Sequence, residues 1–405
     1  MRLNADKLIS RTMAWTFPLY AIGALYIVGP VLGWTLLALL VWHRRIYDLH
    51  SLVWVWFAGM ALMEVALIVA HINLELPLFS MIKSSIGWAK GWALIALFIA
   101  AGALLRNADT LWRGACTVGA AALLLTPLMI AASVVGLPEI LYVSPLKILG
   151  GSGPEYFEVR LYEFDSGFGM TRLRYFAPWA PAAGLVGNVL LILCLQEKDL
   201  RWRVVGVLGC LTMIVLSLSR LGWLIALTIP ATLAILRYMH RPALWFAAVP
   251  AILVASVILP LVLPIADAAL DNLLAARADS TMVRNWLAEI AVQRWQSEAP
   301  IWGHGIVETG PHLVKFMPIG SHHSWLGLLF VKGVVGVIAL AVPLGMTTIY
   351  LAANAVKSDL ARAAFGVMLV LSLYTFGENL EILAYLFWPG LMVVGHALST
   401  LRTSR

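Results

Sequence analysis

The sequence predicts an all-α polytopic membrane protein of about twelve transmembrane helices, with a long helical loop before the tenth span. Three observations predict it. The chain of 405 residues is 61% hydrophobic and only 12% charged, where a soluble domain carries about a quarter charged residues. Apolar runs approaching the roughly twenty residues that span a hydrocarbon core recur from one end to the other. Lys and Arg collect in alternate connections between those runs, as the positive-inside rule requires.

In chain order the spans run roughly Trp15 to Val28, Val31 to Trp42, Ser51 to Ala70, Trp88 to Leu105, Gly114 to Gly136 and Pro178 to Leu195. Six more follow at Val204 to Leu218, Leu221 to Leu236, Pro242 to Ile265, Val334 to Ala353, Ala363 to Phe376 and Ile382 to Leu401. Gly29-Pro30 is read as the break that splits the first long run in two, a single kinked span being the alternative. Arg2, Lys7 and Arg11 precede that run like a signal-peptide n-region, but no small-residue cleavage site follows, so they read as the cytoplasmic flank of a retained helix.

With the N-terminus in the cytoplasm, the inner flanks hold Arg2, Lys7, Arg11, Arg44, Arg45, Arg106, Arg113, Lys198, Arg201, Arg203, Arg237, Arg241, Lys357, Arg362, Arg402 and Arg405. These are sixteen of the 28 Lys and Arg. The expected location is a bacterial inner membrane, multi-pass, with both termini cytoplasmic and the chemistry facing the periplasm. Periplasmic loops fall at about 137–177 and 266–321, and with no internal repeat the chain reads as a single membrane domain, 1–405. The formal charge of +7 is scattered between spans rather than clustered, so the partner it implies is the lipid bilayer and not nucleic acid. Cys116, Cys194 and Cys210 fall inside spans without ligand spacing and read as small buried apolar residues.

Outside, the cations that remain are crowded where the rule disfavours them. Arg220 stands between two spans with only a short turn available, where a guanidinium costs about 2.5–3.5 kcal/mol unless it snorkels or finds a partner. It is either an interfacial anchor or an anion clamp. Arg284 opens a helix-like stretch to Gln296, with Leu287, Ile290, Ala291 and Arg294 on one face and Trp286 and Trp295 suited to an interface. Arg172 and Arg174 close the first loop. His322 and His323 lie at a helix entrance; adjacent residues on a helix do not face one another and no partner ligand is near, so no metal site is expected. A histidine there is either a satisfied interfacial residue or a general base. Glu64, inside a span, must be paired, protonated or facing a water-filled cavity. Glu378 and Glu381 flank the outer mouth, either orienting a histidine or binding acceptor hydroxyls, or pairing with the outer arginines. Such a rim suits an anionic, membrane-embedded substrate, of which a lipid diphosphate is the obvious candidate, and composition alone does not separate a transferase from an anion transporter.

Ser219-Arg220, Arg284 followed by Trp286, the run Pro300-Ile301-Trp302-Gly303-His304-Gly305, and His322 with Leu326 and Gly333 resemble the O-antigen ligase and O-antigen (exopolysaccharide) polymerase superfamily of bacterial membrane glycosyltransferases. The family hallmark is a histidine followed four residues later by Leu and eleven later by Gly. His323 stands where the family commonly has Asn. Arg172-Leu173-Arg174-Tyr175-Phe176-Ala177-Pro178 is similar to an Arg-rich, Pro-containing lead into a span. The resemblance covers roughly residues 172–336. It implies inverting glycan transfer, needing no metal or other cofactor, from an undecaprenyl-diphosphate-linked donor to a glycan or lipid A-core acceptor. By the same resemblance His322 is the catalytic base, and Arg220 and Arg284 bind the diphosphate with Arg172 or Arg174 assisting; His323, Glu378 and Glu381, read from their own positions, are the candidates for acceptor binding or support. The reading leans to a repeat-unit polymerase over an O-antigen ligase joining glycan to lipid A-core. Protein-modifying members carry a longer extracytoplasmic C-terminal region and are ranked lowest. A transporter or flippase of an anionic lipid is the competing class.

Overall fold

The computed structural model describes residues 5–151, 153–165, 169–242, 246, 278–314, 316–320 and 322–403. Helix dominates it. The helices are α1 (Ala5–Ala14), α2 (Thr16–Ala21), α3 (Leu25–Trp42), α4 (Ser51–Asn73), α5 (Leu78–Lys90), α6 (Trp92–Ala101) and α7 (Asp109–Val135). After a loop come α8 (Ala180–Cys194), α9 (Leu200–Leu216), α10 (Arg220–Tyr238), α11 (Ala278–Glu298), α12 (Ser324–Ala355), α13 (Asp359–Tyr374) and α14 (Leu380–Thr403). Seven of the described segments are long and apolar enough to cross a membrane: Leu25–Trp42, Ser51–Asn73, Leu78–Leu104, Asp109–Val135, Arg220–Tyr238, Ser324–Ala355 and Leu380–Arg402. Large apolar side chains such as Leu124, Leu227 and Ile349 are 79%, 75% and 72% exposed, a surface that water would penalise and hydrocarbon solvates.

Helix starts follow the local sequence. The Asp199 carboxylate accepts from the backbone N–H of Arg201 at 2.9 Å and so caps α9, Ser219 Oγ accepts from Gly222 N at 3.1 Å to cap α10, and Ser358 Oγ accepts from Ala361 N at 3.2 Å to cap α13. Between helices, small residues set the spacing. Gly119 of α7 lies so close to Gly206 of α9 that a side chain on it would stand 2.5 Å from or nearer the Gly206 carbonyl oxygen, the close approach that substitutes for hydrophobic driving force in lipid. α14 runs through the centre of the bundle, with Leu383, Phe387, Leu391 and Val394 fully buried.

The N-terminal break differs from the sequence expectation. Pro30 lies inside α3, and the chain turns instead at Gly23, whose φ of +67° is the left-handed conformation glycine adopts without strain. Gly29 serves packing: Tyr385 of α14 sits against it, where a side chain would collide with the Tyr385 Cβ. Lys7 and Arg11, read as a flank, lie within α1, whose Ile9 and Met13 are buried. The fourth run is longer than expected and bends at Gly91 between α5 and α6. The expected span Pro242 to Ile265 lies outside the described residues apart from Pro242 and Phe246.

The one connection between α7 and α8 holds two pairs of short strands that periodicity did not signal. β1 (Ile140–Val143) pairs antiparallel with β2 (Glu158–Arg160), and β3 (Glu163–Asp165) with β4 (Met170–Arg172). This hairpin layer rests on the ends of α2 and α9: the Tyr20 hydroxyl donates to the Arg160 carbonyl at 3.0 Å, Ser144 Oγ donates to the Ile22 carbonyl at 3.0 Å, and Leu173 N donates to the Leu216 carbonyl at 2.8 Å. At the opposite end, Arg45 donates to the Ala103 carbonyl at 3.3 Å, Arg402 to the Leu49 carbonyl at 3.0 Å, and Arg113 pairs with Glu197 at 2.9 Å.

Candidate functional site

His322 sits on the hairpin end of the bundle, in the turn that opens α12. His323 caps that helix, its Nδ1 accepting from Leu326 N at 3.4 Å, and its ring meets Phe376 edge-on at 5.6 Å. Ser324, next in line, is bolted to the connection between α13 and α14. Its backbone N–H donates to the Thr375 carbonyl at 2.9 Å, its hydroxyl donates to the Glu378 carbonyl at 2.7 Å, and it accepts from Leu380 N at 3.0 Å. Trp325 Nε1 adds a bond to Thr375 Oγ1 at 2.8 Å. These four bonds fix His322 relative to Glu378.

Glu378 is 3% exposed. Its one side-chain bond among the described residues is accepted from Trp179 Nε1, the N-cap residue of α8, at 2.8 Å. Burial pushes its carboxyl up to about 7, against the opposing pull of the Trp179 bond and of Arg284. His322 moves the other way. Burial first, and then the Arg284 charge, hold its imidazole down at about 4, so at neutral pH it is uncharged with a free lone pair. His323 is lowered by burial. Arg284 thus acts electrostatically on both His322 and Glu378 from α11, where it is itself exposed. The helix is held down on its other face by Val283, Leu287 and Ala291, packed with Val314, Ile319 and Phe330.

Arg220 is half-buried at the first residue of α10. It comes to the same end because Leu221 packs on Gly377, 2.8 Å from where a side chain there would begin, beside Glu378. No acid among the described residues pairs with Arg220 or Arg284, and no described side chain hydrogen-bonds to His322. The Arg220 charge is not among those acting on His322 or Glu378.

Arg172 and Arg174 are placed differently. Arg172 holds β3 and β4 together through Glu163 at 2.5 Å and Asp165 at 2.8 Å. Arg174 is 2% exposed, donates to the carbonyls of Pro178 and Glu158, and pairs with the Glu158 carboxylate at 3.5 Å. Both guanidiniums are occupied by acids of their own loop. Glu381 separates from Glu378: it packs against Gly91, where a side chain would stand 2.5 Å from its Cγ, and faces Lys332.

Lys332 is the residue that sequence reasoning missed. It is 2% exposed within the span-length α12, and the charges acting on it are Glu381 and Glu64. One Glu64 oxygen, Oε2, is buried with no hydrogen-bond partner. A lone lysine in the apolar run before Gly333 was the available signal. Three ionisable groups from α4, α12 and α14 therefore gather at membrane depth, where an isolated charge is expensive and a mutual arrangement offsets it.

The Gly303-His304-Gly305 run also acquires a role. α12 breaks at Gly333, with φ +61° and ψ −163°. The backbone groups that the break releases are taken up by the preceding loop: His304 N donates to Phe330 O and Gly305 N to Val331 O, both at 2.8 Å, while Val334 N donates to Pro300 O at 3.0 Å. His304 stacks on Phe330 at 4.2 Å and its Nε2 meets Glu298 at 2.8 Å, so it is a structural histidine.

No family model matches the chain, and no curated protein matches it. Among the described residues no group of three His, Cys, Asp or Glu side chains is placed to hold a metal ion.

Proposed function

We propose that the chain is a polytopic inner-membrane glycosyltransferase, crossing the bilayer about twelve times, that transfers a glycan from an undecaprenyl-diphosphate donor to an acceptor hydroxyl on the periplasmic face. What carries the reading is one relationship: Arg284 on α11, which no acid among the described residues pairs, acts on a neutral, half-buried histidine and a buried carboxyl held in place by the start of α12. The hairpin end of the bundle would face the periplasm, because the other end holds Arg45, Arg113, Arg362 and Arg402.

In this scheme the acceptor hydroxyl gives its proton to His322 as its oxygen attacks the anomeric carbon. The bond from that carbon to the diphosphate oxygen breaks, and the electron pair leaves on the diphosphate, where Arg220 and Arg284 meet the growing charge. A base held at about 4 is weak. A diphosphate seated against Arg284 would cancel the repulsion that the guanidinium exerts on an imidazolium, so donor binding itself would strengthen the base. Arg172 and Arg174, engaged by their own loop, are assigned to shaping the site and not to the donor. The acceptor is a second lipid-linked repeat in the preferred reading and lipid A-core in the alternative.

The buried Lys332, with the half-buried Glu64 and Glu381 whose charges act on it, favours a second reading, a transporter of an anionic lipid, since intramembrane ionisable residues mark ion and substrate paths. Purified protein incubated with a labelled lipid-linked glycan, an acceptor and no added metal separates the two. Release of lipid diphosphate with a lengthened or attached glycan supports the transferase; movement of intact donor across the bilayer supports the transporter. In a deletion strain, accumulation of single repeat units indicates a polymerase, and intact lipid-linked polymer with bare core indicates a ligase.

A further inference from the structure

At the end of the bundle remote from His322, the last turn of α10 and the turn between α12 and α13 line an open cavity of about 240 Å³. Four cations line it: Arg237, Arg241, Lys357 and Arg362. One carboxylate, Asp359, faces them, and it is already bonded to Arg362, whose other terminal nitrogen donates to the Ala355 carbonyl at 2.9 Å. No acid among the described residues pairs with Arg237, Arg241 or Lys357. Tyr238 orders two of them, its ring lying 5.7 Å from the Arg237 guanidinium carbon and 4.9 Å from that of Arg241. Arg237 also presses its charge on Arg362. Like charges gathered at one cleft repel, and an anion seated among them relieves that repulsion.

We propose that this cavity seats the phosphate of an anionic phospholipid. Guanidinium pairs match phosphate oxygens with two parallel hydrogen bonds, and a basic pocket between membrane helices is the geometry that holds a lipid headgroup. The wall of the cavity argues for a lipid over a free anion. Val356 lines it and is 40% exposed, and two helical turns back on the same face Ile349 is 72% exposed. An apolar strip therefore leads from the cations toward the hydrocarbon, where acyl chains would lie.

The test uses the full chain, reconstituted into nanodiscs of equal phosphatidylglycerol and phosphatidylcholine, with the lipids retained on gentle extraction identified by native mass spectrometry. The wild type is expected to retain phosphatidylglycerol over phosphatidylcholine. Arg237→Ala and Arg241→Ala each lower that preference about fivefold and the double variant abolishes it, as removal of one and two cations predicts. The charge-preserving Arg237→Lys/Arg241→Lys pair keeps most of it, which separates charge from loss of fold. Millimolar inorganic phosphate should leave the lipid in place. Equal retention of both lipids, or an unchanged preference in the double alanine variant, overturns the site; displacement of the lipid by inorganic phosphate overturns the lipid as its occupant.

Discussion

Gly303 and Gly333 meet backbone to backbone: a side chain on Gly303 would stand 2.5 Å from the Gly333 nitrogen, and one on Gly333 would stand 2.7 Å from the Gly303 nitrogen. The contact locks the loop after α11 into the break in α12. It thereby fixes the first turns of α12 and the His322 turn against the helix that carries Arg284. A φ near +61° with ψ near −163° belongs to a region that only glycine occupies at low energy. Gly333→Ala should therefore destabilise the protein by at least about 2 kcal/mol, read as a lowered thermal midpoint in detergent. Gly345→Ala, in the same helix with nothing within 4 Å of a new side chain, should be neutral or stabilise by up to about 1 kcal/mol. Equal effects of the two would contradict the locking role.

Arginines at the hairpin end divide into two kinds, and substitution separates them. Arg174→Ala removes a buried guanidinium from Glu158 and Pro178, and Arg172→Ala removes the guanidinium that bridges Glu163 and Asp165. Both should lower thermal stability, Arg174→Ala by about 2 kcal/mol or more, because it takes a buried guanidinium from the Pro178 and Glu158 carbonyls while Arg160 stays on the Glu158 carboxylate. Arg220→Ala and Arg284→Ala should leave the thermal midpoint within about 0.5 kcal/mol of wild type, while transfer falls by at least about tenfold. Stable, fully active Arg284→Ala protein would remove it from the donor site.

Glu378 links stability to pH. Its carboxyl is raised from 4.5 to about 7 in the folded protein, so between those values the native state holds a proton that the unfolded state has lost. Stability contributed by the protonated form is complete below about 4.5 and is lost as pH rises through about 7. That corresponds to about 3 kcal/mol at full ionisation. Glu378→Gln keeps an acceptor for Trp179 and should be the more stable protein at about pH 8, with the advantage shrinking toward about pH 5. A pH-independent difference between the two proteins would count against the protonated carboxyl.

His322, held at about 4, should keep its lone pair well below the usual histidine range. kcat/KM, which reports the free enzyme, should therefore stay near its neutral value at about pH 5.5, where an unperturbed histidine is mostly protonated. Arg284→Ala, by lifting the second cause of the shift, should move the acid limb upward. A limb near 7 that disappears in Glu378→Gln would belong to Glu378. A limb near 6.5 in the wild type that survives Glu378→Gln would contradict the burial of His322.

Much of this was legible in the sequence, for identifiable reasons. Apolar runs define spans because lipid leaves the backbone no partner but itself. The prominence of His322, Arg220 and Arg284 came from charge in a costly place. What stayed hidden depends on partners distant in sequence. Arg172 and Arg174 looked free because their acids lie in strands of three residues, too short for any alternation to reveal. Gly29-Pro30 looked like a break, yet Gly29 answers to Tyr385, some 350 residues away, and the turn falls to Gly23. Lys332 was invisible as a site residue until α4 and α14 brought Glu64 and Glu381 to it.

The most direct measurement compares wild type with His322→Ala in a single-turnover assay, using labelled undecaprenyl-diphosphate glycan and acceptor, with size-exclusion profile and thermal midpoint recorded on the same samples. The account predicts wild-type product and free lipid diphosphate, and a His322→Ala protein that folds and binds donor but forms product at least about a hundredfold more slowly. A folded His322→Ala protein that transfers at the wild-type rate would contradict it.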